Sequence, residues 1–154
     1  MSHHWFIADL IKKNTSGKVL GLDIGSGYDN WKDFKKCKFV NIDKHPPGQV
    51  VDIESENLPF ANSSFDVIIS INVLNYLINF RIIKEIHRVL ERGGVFVCVV
   101  NNENAHQLET MSKTKLYSLF PNDKFKRKMS PEERLCAWHY NKTSVYAFIV
   151  LEKI

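Results

Sequence analysis

The chain has 154 residues, a net charge of +4, 44% apolar and 25% charged residues. That length suits one compact domain spanning 1–154 with a sizeable core, and the composition is ordinary for a globular protein. No apolar run is long enough to span a bilayer, so no membrane contact is expected, and a mildly basic balance does not by itself imply nucleic acid.

The first residues, MSHHWFIADLIKK, lack a basic stretch before an apolar segment and a small-residue cleavage site, so a signal peptide is not expected. Cys37, Cys98 and Cys136 are odd in number and far apart, which points to reduced thiols and a cytoplasmic setting. No metal site is expected. His3 and His4 have no neighbours at ligand spacing and read as solvated terminal residues.

In chain order, residues 4–13 place Trp5, Ile7, Ala8, Leu10 and Ile11 near helical spacing, and Asn14-Thr15-Ser16-Gly17 ends that helix. Lys18 to Asp23 is an apolar first strand, followed at once by Gly25-Ser26-Gly27. Trp31 to Lys36 reads as a short polar helix. Lys38 to Ile42 is a second strand, closed by Asp43. His45-Pro46-Pro47-Gly48 cannot be helical, because proline lacks the amide donor and restricts the residue before it. Only this turn separates the second strand from Gln49-Val50-Val51-Asp52, whereas parallel neighbours ordinarily need a crossover of about a dozen residues.

Phe65 to Ile71 is a buried strand. A helix is expected from about Asn79 to Leu90, with Ile82, Ile83, Ile86, Val89 and Leu90 inward. Arg81, Lys84, Glu85, His87 and Arg88 then face water, and Gly93-Gly94 ends the helix. Val95 to Val100 is another apolar strand. Leu108 to Leu119 suggests a further helix, Lys124 to Pro131 a charged loop, and Arg134 to Tyr140 with Val145 to Glu152 an antiparallel hairpin.

The first strand and its turn carry the chemistry. A strand ending in Gly-x-Gly brings bare backbone close to a ligand. A dinucleotide site needs a third glycine, and Asn30 stands near that position. A lone Gly-x-Gly turn is otherwise an ordinary tight turn. Asp43 ends its strand at a spacing from Gly25 close to the interval of about 20 residues expected for an acid that binds ribose hydroxyls, and it is equally readable as a polar strand end.

Four blocks narrow the choice: LGLDIGSGYDNW, VNIDKHPPGQVVDIES, LPFANSSFDVIISINVLNYL and KEIHRVLERGGVFVCVV. In this order and spacing they resemble a small class I S-adenosylmethionine (AdoMet) dependent methyltransferase of the methyltransferase type 11 kind. The likeness covers roughly residues 18 to 100, and within that kind it points to members with a short Pro-containing turn between strands two and three. It implies a Rossmann-like α/β fold: a mostly parallel seven-stranded sheet, helices on both faces and a C-terminal antiparallel hairpin. It also implies that Asp23, Gly25 and Gly27 approach the methionine part of AdoMet and that Asp43 binds the ribose. Asp52 would lie near the adenine amine, with Ile53 on the ring. Ser70, Ile71 and Asn72 would end the fourth strand beside the transferring methyl.

The chain departs from that pattern after the fourth strand. Relatives commonly carry His-x-x-Glu-His there; this chain has Asn72-Val73-Leu74-Asn75-Tyr76. Tyr28 stands where a small residue is often found. The cofactor residues are therefore expected to be intact, with S-adenosylhomocysteine (AdoHcy) as product, while the catalytic residues are unassigned. Asn72, Tyr76 and His106 are the candidates, with His139 behind them. Two other readings stand beside a methyltransferase: a non-catalytic AdoMet- or AdoHcy-binding regulator or partner protein, and an NAD-binding oxidoreductase. Lys113, Lys115, Lys124, Lys126, Arg127 and Lys128 form a basic segment with Tyr117, Phe120 and Phe125 among them. That could be a footprint for RNA, but a small-molecule acceptor is favoured over nucleic acid, since the helical apolar residues suit packing on the sheet.

Overall fold

A computed structural model describes residues 4–28, 31–101, 113–128 and 146–154. Helix α1 is His4–Asn14, followed by strands β1 (Val19–Ile24), β2 (Cys37–Asp43), β3 (Gln49–Val50) and β4 (Phe65–Ile71). A 3-10 turn, Leu74–Tyr76, leads to α2 (Ile82–Val89) and β5 (Leu90–Asn101). Then come α3 (Lys113–Ser118), β6 (Phe125–Arg127) and β7 (Tyr146–Lys153). The strands form one sheet in the order β3-β2-β1-β4-β5-β7-β6. Strands β1 to β5 pair in parallel, and β7 is antiparallel to both β5 and β6.

The sheet is covered on both faces, as its apolar runs require. Along β4, Val67 and Ile69 point one way and Ile68 the other, because side chains alternate along a strand. Val67, Ile69, Val95, Val97 and Val99 meet Phe6, Ile7, Leu10 and Ile11 of α1. Leu22, Ile24, Ile68, Phe96 and Cys98 meet Ile82, Ile83, Ile86 and Val89 of α2, with Leu116 and Phe120 beside them. At the end of α1, Asn14 Nδ2 and Thr15 Oγ1 donate to the carbonyls of Leu10 and Ile11, adding side-chain bonds to the last turn. Cys37 and Cys98 are free and buried, and burial pushes the Cys37 thiol up to about 12. Cys136 lies outside the described residues.

Strand β3 explains how two parallel strands can be joined by a turn as short as 44–48. Gln49 pairs with Ile42 and Val50 with Asp43, so β3 begins at the level where β2 ends. The chain steps back by about one residue instead of returning the length of the sheet. No crossover helix is needed.

Several expectations are corrected. Residues 31–36 form turns instead of a helix; Trp31 is buried there, against Phe34 and Phe39 at 5.7 and 5.0 Å between ring centres. Helix α2 starts at Ile82 and ends at Val89, with Leu90 already extended at ψ 134°. Gly93 is left-handed at φ 77°, but it lies in a bulge of β5, where the pairing passes from Phe65 with Leu90 to Val67 with Val95. Glu85 is buried, not solvent-facing, and His87 packs edge-on against Phe125 at 5.3 Å. Part of the charged loop is strand β6, which is the partner of β7 in the antiparallel pair. Residues 134–140, expected to supply that partner, lie outside the described residues.

Candidate active site

The glycine loop leaves β1 with Gly25 at φ 71° and Gly27 at φ 59°, a region that favours glycine. A Cβ on Gly25 would stand 2.2 Å from Val73 Cγ2, so the segment after β4 lies directly on this loop. The amides of the loop are turned toward β2. Gly25 and Ser26 N–H donate to the Ile42 carbonyl at 2.9 and 3.1 Å, and Gly27 N–H donates to Asp43 Oδ2 at 2.9 Å. A pyrophosphate loop needs its amides free at the start of a helix. Here they are engaged, and no helix occurs among the described residues between 25 and 36.

Asp43 also accepts the N–H of His45 through Oδ1 at 3.0 Å. A carboxylate has about four lone-pair positions, so two remain for a ligand. Beyond β3, Asp52 Oδ1 accepts the N–H of Glu54 at 3.1 Å, and Lys44 Nζ stands 3.8 Å from Oδ2. That amide bond, chiefly, and Lys44 hold the Asp52 carboxyl below its ordinary range.

Asn72, at φ 59°, turns the chain off the end of β4 while its N–H donates to the Val99 carbonyl at 2.7 Å. Left-handed backbone is tolerated by asparagine better than by most side chains. Buried Leu74 then anchors the 3-10 turn.

Between these pieces lies a pocket of about 480 Å³, within the roughly 300–1,000 Å³ of ordinary small-molecule sites. Gly25, Ile42 and Val51 are among its lining residues. Asp43, Lys44, His45, Asp52, Ile53 and Glu54 line one side, and Asn72, Val73, Tyr76 and Leu77 the other. It opens at the carboxyl ends of β1, β2 and β4, where open parallel sheets bind ligands.

Of the residues singled out in the sequence, Gly25, Asp43, Asp52, Ile53, Asn72 and Tyr76 come together around this pocket. Gly27 reaches it only through its bond to Asp43. Asp23 is 3% exposed, and alternation along β1 turns its side chain to the α1 face with Val19. Ser70 is fully buried beneath the loop after it, and its hydroxyl has no partner among the described residues. His106 and His139 lie outside the described residues. Val73, Leu77, His45 and Glu54 were not anticipated; they are brought to the pocket by loops whose path no local pattern encodes.

Comparison with known proteins matches residues 6–98 to the family described as methyltransferase domain. The chain belongs to the methyltransferase domain family. Among curated relatives, a demethylmenaquinone methyltransferase of Staphylococcus epidermidis is 33% identical over 100 residues, covering 64% of this chain and 39% of its own length. The sterol 4-C-methyltransferase strm-1 of Caenorhabditis elegans is 38% identical over 61 residues, covering 39% of this chain and 18% of its own. The chain thus spans about 39% of the length of the first of these relatives.

Solved structures of this methyltransferase domain fold include a TehB-like SAM-dependent methyltransferase from Corynebacterium glutamicum. It has TM-score 0.70 and 17% identity, with 97% of this chain and 88% of that chain covered. The [4+2]-cyclase SpnF has TM-score 0.66 and 16% identity, with 96% and 79% covered. No helix among the described residues is long and apolar enough to cross a membrane.

Proposed function

We propose that this methyltransferase domain binds AdoMet and transfers its methyl group to a small, largely apolar acceptor. The observation that carries the reading is the pocket at the carboxyl ends of β1, β2 and β4. There Gly25 lines the pocket without a side chain and the Asp43 carboxylate keeps two positions open. The residues fit the group. Asp43 would hold the ribose hydroxyls, Asp52 would face the adenine amine, and Ile53 would pack on the ring. Bound AdoMet supplies an electrophilic methyl on a sulfonium with a good leaving group. The chain's own task is then to align the acceptor and exclude water. Asn72 and Tyr76 orient the acceptor by hydrogen bonds, and Val73 and Leu77 keep that wall dry. The lack of a His/Glu cluster after β4 is compatible with catalysis on an acceptor that is nucleophilic already.

The acceptor class rests on two supports. Two relatives are named for a demethylmenaquinone and a sterol. In this chain, Tyr76 and Ile78 are 56% and 88% exposed beside the pocket.

Titration calorimetry tests the cofactor. AdoMet and AdoHcy should bind in the micromolar range, about −8 kcal/mol, and NAD should not bind. Absence of AdoMet and AdoHcy binding at millimolar ligand sinks the reading. A second reading is a non-catalytic AdoMet-binding protein. It is favoured by Asn72 and Asn75 standing in place of ionisable residues. Binding without transfer of label from methyl-labelled AdoMet, across a panel of quinones and sterols, would favour it.

A further inference from the structure

Glu54 joins two segments that are far apart in the chain. Its Oε1 accepts the N–H groups of Ile78 and Asn79 at 2.6 and 3.2 Å, and its carbonyl accepts Asn79 Nδ2 at 3.2 Å. Its own N–H is held by Asp52 at 3.1 Å. One residue therefore ties the Asp52 side of the pocket to the end of the segment 72–79. Arg81 Nη2 repeats the tie farther out, donating to Asn57 Oδ1 at 2.6 Å.

The segment needs such a tie. Leu74 is its buried anchor and Leu77 and Phe80 pack partly on the core, yet Ile78 is 88% exposed and Asn79 is also exposed, so burial does not hold these two residues themselves. A 3-10 turn is short and its hydrogen bonds are poor, so it does not impose a position on the residues beyond it. Asn72, Val73, Tyr76 and Leu77, which line the pocket, lie between the anchor at β4 and the tie at Glu54.

We infer that Glu54 is a positioning residue: it acts as a strap that holds the 72–79 wall at a fixed distance from Asp52 and so sets the width of the pocket. Charge-assisted bonds to two adjacent amides fix distance and direction together. The inference rests on the pocket being the AdoMet site, and the test separates the two ideas.

Hydrogen exchange reads the strap without any ligand. The Ile78 and Asn79 amides should exchange slowly in the wild-type protein and at least tenfold faster in Glu54→Ala, about the effect of losing 1.4 kcal/mol of protection. Glu54→Asp keeps the charge but loses reach, and should behave like Glu54→Ala. Glu54→Gln keeps an acceptor oxygen at the right distance and should restore protection. The same series should weaken AdoHcy about tenfold in the Ala and Asp variants and within about twofold in Gln, at unchanged melting temperature. Unchanged exchange at Ile78 and Asn79 in both the Ala and Asp variants overturns the strap. Faster exchange with unaltered AdoHcy affinity overturns its part in shaping the pocket. A wild-type protein that binds no AdoHcy defeats the cofactor reading, and the exchange series then still decides whether Glu54 holds the segment.

Discussion

Asp43 faces the protein on one side and the pocket on the other. Its carboxylate receives the amides of Gly27 and His45, so it shapes the glycine loop before any ligand arrives. Asp43→Ala should weaken AdoMet and AdoHcy by about tenfold or more in calorimetry, through lost charge-assisted bonds. It should also cost about 1 kcal/mol of stability, because the Gly27 amide loses its acceptor. Asn72 calls for a different substitution. At φ 59° an alanine would add strain of about 1–2 kcal/mol, whereas glycine removes the side chain alone. Asn72→Gly should leave AdoHcy affinity nearly unchanged and lower turnover once an acceptor is known; a large loss of AdoHcy affinity would show that this side chain serves the cofactor. At this scale the sequence was legible where chemistry sits at strand ends, as with Asp43 and Asp52. It was not legible where a residue's reason is another loop: Gly25 is visible as a glycine, but the methyl of Val73 that excludes a side chain there is not.

Helix α2 shows what periodicity can and cannot say. Ile82, Ile83, Ile86 and Val89 are legible as the inward stripe, but the same periodicity assigns Glu85 to water. Glu85 is instead the hub of a clamp. Its Oε2 accepts the Leu58 amide at 2.7 Å and pairs with Arg88 Nη2 at 2.7 Å, while Arg88 donates to the carbonyls of Leu58 and Phe60 at 2.9 and 2.7 Å. The sequence shows a charged helix residue; that the loop around Leu58 folds over it is non-local. Arg88's hydrogen bonds, first, and the Leu58 amide hold the Glu85 carboxyl below its ordinary range. A carboxyl depressed by folding contributes stability above its unfolded value, roughly 4.3, and loses it as pH falls through the folded value. Glu85→Gln should therefore cost about 1–2 kcal/mol at pH 7 in urea unfolding, with the gap to wild type closing below about pH 4. A gap independent of pH would show that the clamp does not depend on the charge. Strand β6 escaped the sequence reading for the same reason. Three residues, Phe125–Arg127, have too little pattern of their own and are strand only because β7 runs beside them.

On the whole molecule, the basic segment late in the chain loses most of its stacking surface. Phe120 and Phe125 are buried against each other at 5.3 Å, and Arg127 covers the ring of Tyr117 at 3.9 Å. Lys128 is paired with Glu152. Labelled RNA should therefore show no salt-dependent shift at micromolar protein; a shift abolished by neutralising Lys124, Lys126, Arg127 and Lys128 together would reverse that view. The sheet as a whole was legible because β1, β2, β4 and β5 are apolar runs separated by turn residues. The helix expected over 31–36 is absent, since aromatic packing of Trp31 with Phe34 and Phe39 fixes those turns.

The position of β7 has a consequence for how a ribosome must deliver this molecule. It sits between β5 and β6, so the Val95–Val100 run keeps an unpaired, wholly apolar edge until residues 146–153 have been synthesised and have left the exit tunnel. Nascent chains halted before that point present a template for pairing with their neighbours. A chain stopped at residue 128 should accumulate in the insoluble fraction or on holding chaperones, and supplying residues 146–153 as a separate peptide during translation should raise its soluble yield. A soluble, monomeric product from the stopped chain alone would show that this edge is protected in some other way.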